Sequence, residues 1–138
     1  MIEGKWYSPG SDIEVSLELR KKSLNLIRDE IDYLSWQLVV FDDGEPVGAG
    51  RIWWQDGDFY IGAVSVLKDK RGMGFGDLLV RLLLYKAQEH NALRVLIKPC
   101  DSVGFFTKYG FSAIDENTEN GIMALYFDKQ MLSPCQKV

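Results

Sequence analysis

Val64-Ser65-Val66-Leu67-Lys68-Asp69-Lys70-Arg71-Gly72-Met73-Gly74-Phe75-Gly76-Asp77 runs from an extended, β-branched segment through a glycine cluster into a helical pattern. Three of the thirteen glycines (Gly72, Gly74 and Gly76) fall within five residues, where a strand ends and a helix begins. Glycine at such a junction lets the backbone take positive φ and approach a ligand closely. The first N–H groups of the helix that follows lack internal partners and lie at the positive end of its dipole. The turn is therefore an anion site suited to a phosphate or pyrophosphate. Lys68, Lys70 and Arg71 gather positive charge beside it in a chain whose formal charge is −4. Rival phosphate motifs fit worse. A P-loop needs Gly-Lys-Ser/Thr, whereas Gly76 is followed by Asp77 and Leu78. A dinucleotide fingerprint needs different glycine spacing and an acid ending the next strand, which here ends at Lys98-Pro99.

Outward from this stretch the pattern alternates between the two periodicities. Phe75–His90 reads as a helix with Phe75, Leu78, Leu79, Leu82 and Leu83 on one stripe. Upstream, Trp36–Phe41, Val47–Trp54 and Phe59–Leu67 read as three strands. Asp-Asp-Gly-Glu-Pro (residues 42–46) and Gln-Asp-Gly-Asp (55–58) lie between them as hairpin turns. Ile2–Tyr7 reads as a strand, and Ser11 or Asp12 can cap a helix running to about Lys22. Downstream come a strand at Leu93–Pro99, a helix at Ser102–Tyr109 stopped by Gly110, and strands at Phe111–Ile114 and Ile122–Phe127. Strand–helix–strand around Phe75–His90 implies a parallel crossover inside an otherwise antiparallel sheet. The expected fold is a mixed α/β (α+β) domain, with a mostly antiparallel central sheet of six to seven strands and helices on both faces.

Composition bounds the function. A length of 138 residues, 46% hydrophobic and 26% charged, suits one globular domain spanning residues 1–138. An acidic balance without a basic stripe argues against nucleic acid. The longest uncharged runs, Tyr33–Phe41 and Phe59–Leu67, are nine residues each, about half of a membrane span. The N-terminus has no apolar signal core, and Cys100 and Cys135 form no zinc-ligand spacing, so a cytoplasmic chain with free thiols and no metal is expected. A single histidine, His90, removes most Ser-His-Asp and Cys-His readings.

Val64-x-Val66 followed by Arg71-Gly72-Met73-Gly74-Phe75-Gly76 resembles the R-x-x-G-x-G/A signature of the GNAT superfamily of acetyl-CoA-dependent N-acyltransferases. Val103-Gly104-Phe105-Phe106-Thr107-Lys108-Tyr109-Gly110-Phe111 resembles that family's second signature. The resemblance covers about Trp36 to Phe127. It implies that the strand carrying Val64–Val66 bends at a bulge and splays from the strand carrying Leu93–Pro99, which opens the CoA site. Val64, Ser65 and Val66 would then meet the pantetheine, and Arg71, Gly72, Met73, Gly74, Phe75, Gly76 and Asp77 the pyrophosphate. A main-chain N–H near Val66 would stabilise the oxyanion. Phe106 would also line the cofactor. It stands where the family usually carries the tyrosine that protonates the departing thiolate, and phenylalanine has no proton to give. Cys100 and Tyr109 are the substitutes in reach, with bulk water as a third source.

For the acceptor, the resemblance points to the acidic segments around Glu30 and Asp32 and around Asp115, Glu116 and Glu119. Trp54 is a further candidate, because Trp53 and Trp54 on one strand face opposite sides. The implied activity is transfer of an acetyl group from acetyl-CoA to a primary amine of a small molecule or peptide, by direct attack on the thioester. Pairing into a homodimer is common in the family. Two other readings are a CoA-binding module without catalysis and a small-ligand sensor whose glycine turn is empty.

Overall fold

Two Asp-Gly pairs fold the first half of the chain. Asp43-Gly44 joins β2 (Trp36–Asp42) to β3 (Glu45–Gln55), and Asp56-Gly57 joins β3 to β4 (Asp58–Val66). All four residues have positive φ (50°, 82°, 52° and 84°), as type I′ turns require, and the twist of that turn matches the twist of the strands. The computed structural model describes residues 1–98, 103–114 and 121–127. β1 (Ile2–Tyr7), β5 (Arg94–Ile97), β6 (Ser112–Ala113) and β7 (Met123–Tyr126) complete a seven-stranded sheet of order β1-β2-β3-β4-β5-β7-β6. β4 and β5 are the parallel pair and the other pairings are antiparallel, which is the mixed topology expected from the sequence.

Helices cover both faces, because alternate strand residues point opposite ways. α2 (Phe75–Glu89) buries Phe75, Leu79, Val80, Leu83 and Ala87 against Leu38, Val40, Ile52 and Ile61. This stripe is rotated from the expected one: Val80 and Ala87 are buried, while Leu78 and Leu82 are only partly covered. The helix rides close to β3, where a Cβ on Gly48 or Gly50 would lie 2.9 Å from Leu79 or Leu83. On the other face α1 (Glu14–Leu24) packs Leu19 onto Val39 and Ala49. It begins where Asp12 Oδ1 accepts the Glu14 N–H at 3.0 Å. α3 (Val103–Thr107) adds Phe106 to the α2-side core. No helix among the described residues is long and apolar enough to cross a membrane.

The feature that positions the site is a break in β4. Along β3, Ala49 to Arg51 is two steps, but their partners Ser65 and Gly62 are three steps apart on β4. The extra residue is a bulge, and Ala63 carries it with φ of 49°, a left-handed conformation that costs an alanine about 1 kcal/mol. Pairing with β5 covers Phe59, Tyr60 and Ile61. Past Ile61, β4 pairs with β3 alone among the described residues.

Candidate active site

The fork beyond Ile61 opens into a cavity of about 530 Å³. Val64, Ser65 and Val66 form one wall, and the turn from Lys70 to Asp77, Met73 excepted, forms the floor. Gly74 caps α2 at φ of 90° and Gly72 sits at 79°, both in the left-handed region where glycine alone is unstrained. A Cβ added to either would meet no atom within 4 Å and would project into open space. The N–H groups of Phe75, Gly76 and Asp77 open the helix and have no intrahelical acceptor. The cradle thus offers main-chain donors, a helix dipole and room, which fits a diphosphate.

Charge favours the same ligand. Lys70, Arg71 and Lys108 lie on the cavity wall. Arg71 also braces the loop: its Nε donates to the Val66 carbonyl (3.1 Å) and its Nη2 to that of Ser23 at the end of α1 (3.3 Å). Asp77 is the one acid on the wall among the described residues, and its charge is offset. Tyr109 Oη donates to Oδ1 at 2.6 Å and Arg81 Nε to Oδ2 at 2.8 Å. These bonds, the tyrosine's first, hold the Asp77 carboxyl below the ordinary carboxylate range.

Several expected site residues stand elsewhere. Phe106 is 5% exposed and packs edge-on against Phe105 and Phe111 in the core. Its neighbour Phe105 lines the cavity instead, together with Lys108 one helical turn on. The i, i+3 spacing of these two carried that signal in the sequence. Met73 is exposed and not part of the wall. Leu24, at the end of α1, lines the cavity with no cue in the sequence. Burial, then the Asp77 bond, pushes the Tyr109 phenol well above its usual pKa, and its proton is committed to that carboxylate. Cys100, Asp115, Glu116 and Glu119 lie outside the described residues.

Asp32 does not face a cleft. It closes a short 3-10 turn, Glu30–Tyr33, through reciprocal bonds with Asp29, and its side chain is fully buried. Arg20 grips it with Nη1 to Oδ2 (2.8 Å) and Nη2 to Oδ1 (2.9 Å), while Arg51 Nη1 (2.9 Å) and Gln37 Nε2 (3.0 Å) also reach Oδ1. Burial alone would raise the carboxyl's pKa. The Arg20 hydrogen bond, the Asp29 N–H and the two guanidinium charges outweigh it and hold the group far below the usual range. An acid so held is an interior brace. Glu30 is exposed on the same turn. Trp54 is 56% exposed at the closed end of β4, edge-on to Phe59, away from the fork.

Comparison with known proteins matches this geometry. Residues 6–111 fit the family model described as "Acetyltransferase (GNAT) family". The chain belongs to the GNAT acetyltransferase family. A relative from Bacillus subtilis (strain 168), described as "Uncharacterized N-acetyltransferase YjcF", is 32% identical over 89 residues. That match covers 64% of this chain and 64% of the relative, so the chain spans just under two thirds of the relative's length. Escherichia coli ElaA superposes with a TM-score of 0.74 at 22% identity, covering 90% of this chain and 99% of ElaA. A GNAT acetyltransferase from Elizabethkingia anophelis, solved with acetyl-CoA bound, superposes at 0.71 with 17% identity, covering 91% and 98%. At these identities the superpositions establish the GNAT fold.

Proposed function

We propose that this GNAT protein transfers the acetyl group of acetyl-CoA to a primary amine, by direct attack and without an acyl-enzyme. The observation that carries the reading is the fork itself. A strand edge released by the Ala63 bulge runs directly into a glycine cradle at a helix N-terminus, with three cations on the wall. Acetyl-CoA supplies an activated thioester at that edge.

The chain's residues divide the work. Phe75, Gly76 and Asp77 offer main-chain donors to the diphosphate, and Lys70, Arg71 and Lys108 offset its charge. Val64, Ser65 and Val66, which no described residue of β5 pairs, present a strand edge to the pantetheine in the manner of an added strand. A main-chain N–H near Val66 serves as the oxyanion donor. Phe106 is apolar and the Tyr109 hydroxyl is held by Asp77, so neither is the acid. The departing thiolate, whose conjugate thiol ionises only above neutral pH, takes its proton from solvent near neutrality.

Calorimetric titration with CoA tests the site, and thiol release with acetyl-CoA and amines tests the transfer. Saturable CoA binding that is lost in Gly74→Glu is the expected result. Absence of heat at millimolar CoA would remove both the enzyme and the CoA-module readings.

A further inference from the structure

A second cavity of about 290 Å³ reaches β4 from the α1 face of the sheet. It is lined by Tyr60, Ile61, Gly62 and Ala63, whereas the first is lined by Val64, Ser65 and Val66. The two cavities thus meet consecutive segments of one strand, and the Ala63 bulge is their boundary. Resting on the function proposed above, we infer that this second cavity takes the acceptor, and that the acceptor is a small primary amine with a compact aromatic body.

The walls carry the chemistry. Trp53 is 8% exposed and stacks on Tyr60 at 5.5 Å between centroids and 13° between planes. The indole reaches over the strand because residue 62 has no side chain: a Cβ there would lie 3.3 Å from Trp53 Cη2. The Trp53 ring is covered by Tyr60 and by the Arg51 guanidinium, so the half-buried Tyr60 ring, which Trp53 backs, is the flat π-surface the cavity offers to an offset-stacked aromatic guest. Ile31 and Ile122 add apolar surface. Arg51 lies 5.1 Å from the Trp53 ring, but its charge is met by Asp29 at 2.7 Å and Asp32 at 2.9 Å. Those two carboxylates are consequently held by arginine and offer little to a polycation. About 290 Å³ is roughly twice the 150 Å³ that accommodates benzene, enough for a ring on a short aminoalkyl arm.

The reaction balances without another reagent. The amine nitrogen bonds to the acetyl carbon, the C–S bond breaks, and the proton lost from nitrogen is matched by one gained by the CoA sulfur through solvent.

The test is thiol release by the full chain with acetyl-CoA and four amines: 2-phenylethylamine, tryptamine, n-butylamine and spermidine. We expect kcat/KM at least about tenfold higher for the two arylalkylamines, in keeping with a ring-sized apolar gain. Tyr60→Ala is expected to raise their KM about tenfold and that of n-butylamine by clearly less, so that the KM ratio between the two kinds of amine falls, with the CoA affinity unchanged. Preference for spermidine, or an unaltered KM ratio in Tyr60→Ala, would overturn the assignment. Should CoA fail to bind, the parent reading falls, and binding still decides this one. The indole N–H resonance missing from Trp53→Phe must then shift on adding 2-phenylethylamine, and its failure to move at 10-fold excess over protein sinks the proposal.

Discussion

The two ends of β4 are clamped differently, and the difference makes the site. At the closed end Asp58 takes both Nε and Nη2 of Arg94 (2.8 and 2.9 Å), a bidentate clasp that ties β4 to β5 across their parallel ladder. At the open end the corresponding arginine, Arg51, sits opposite Gly62 and turns away from β5. It reaches Asp29 and Asp32 on the turn before β2. One clamp closes a sheet and the other anchors the wall of a gap. At the open end one inserted residue shifts the register of β4 against β3, while the Asp58–Arg94 clasp holds the closed end.

Breaking the open-end anchor is expected to have the largest effect. Asp32→Ala leaves two buried guanidiniums without their shared carboxylate and should cost about 3–5 kcal/mol, measured by urea unfolding. Acid acts on the same group. Its folded pKa is depressed, so its contribution is fully present above the unfolded value of about 3.9 and is lost as pH falls below that. Wild-type stability should fall below about pH 4 more steeply than that of Asp32→Asn; parallel curves would remove Asp32 as the brace.

Next in size is the cradle. Gly74→Glu puts a side chain and a negative charge where the diphosphate is expected and should weaken CoA binding on the order of 100-fold, about 2.7 kcal/mol. Calorimetry on the folded variant reads this directly, and retained affinity would dislodge the assigned site. At the closed end, Arg94→Ala removes a partly exposed clasp and should cost only about 1 kcal/mol. A cost equal to that of Asp32→Ala would erase the contrast between the ends. Smaller still is Ala63→Gly. Relief of left-handed strain is largely offset by the greater freedom of unfolded glycine, leaving a change within about 1 kcal/mol in thermal unfolding. Tyr109→Phe should leave kcat and its pH profile within about twofold, because a true general acid would contribute at least about 100-fold.

Most of the architecture was legible because it is local. Asp43-Gly44 and Asp56-Gly57 specify their hairpins through positive φ at adjacent residues, and the run from Gly72 to Asp77 announces a glycine turn into a helix start. Phe106 and Phe105 were less legible. A five-residue helix defines its buried side poorly, and a rotation of one residue exchanges core for cavity. The segment around Glu30 and Asp32 read as facing an acceptor because the partners of Asp32 and Asp29, Arg20 and Arg51, lie 12 to 22 residues away and on other elements.

What the chain's order of residues determined by itself is the sequence of strands and helices, the two hairpin turns and the family's glycine turn, all set by contacts within a few positions. The tertiary structure alone decided that Asp32 is an interior brace, that Trp53 lies over Gly62, and that two cavities are lined by consecutive segments of β4. Those outcomes depend on which surfaces are brought together after distant segments close on one another, and burial, stacking and charge neutralisation have no meaning before that happens.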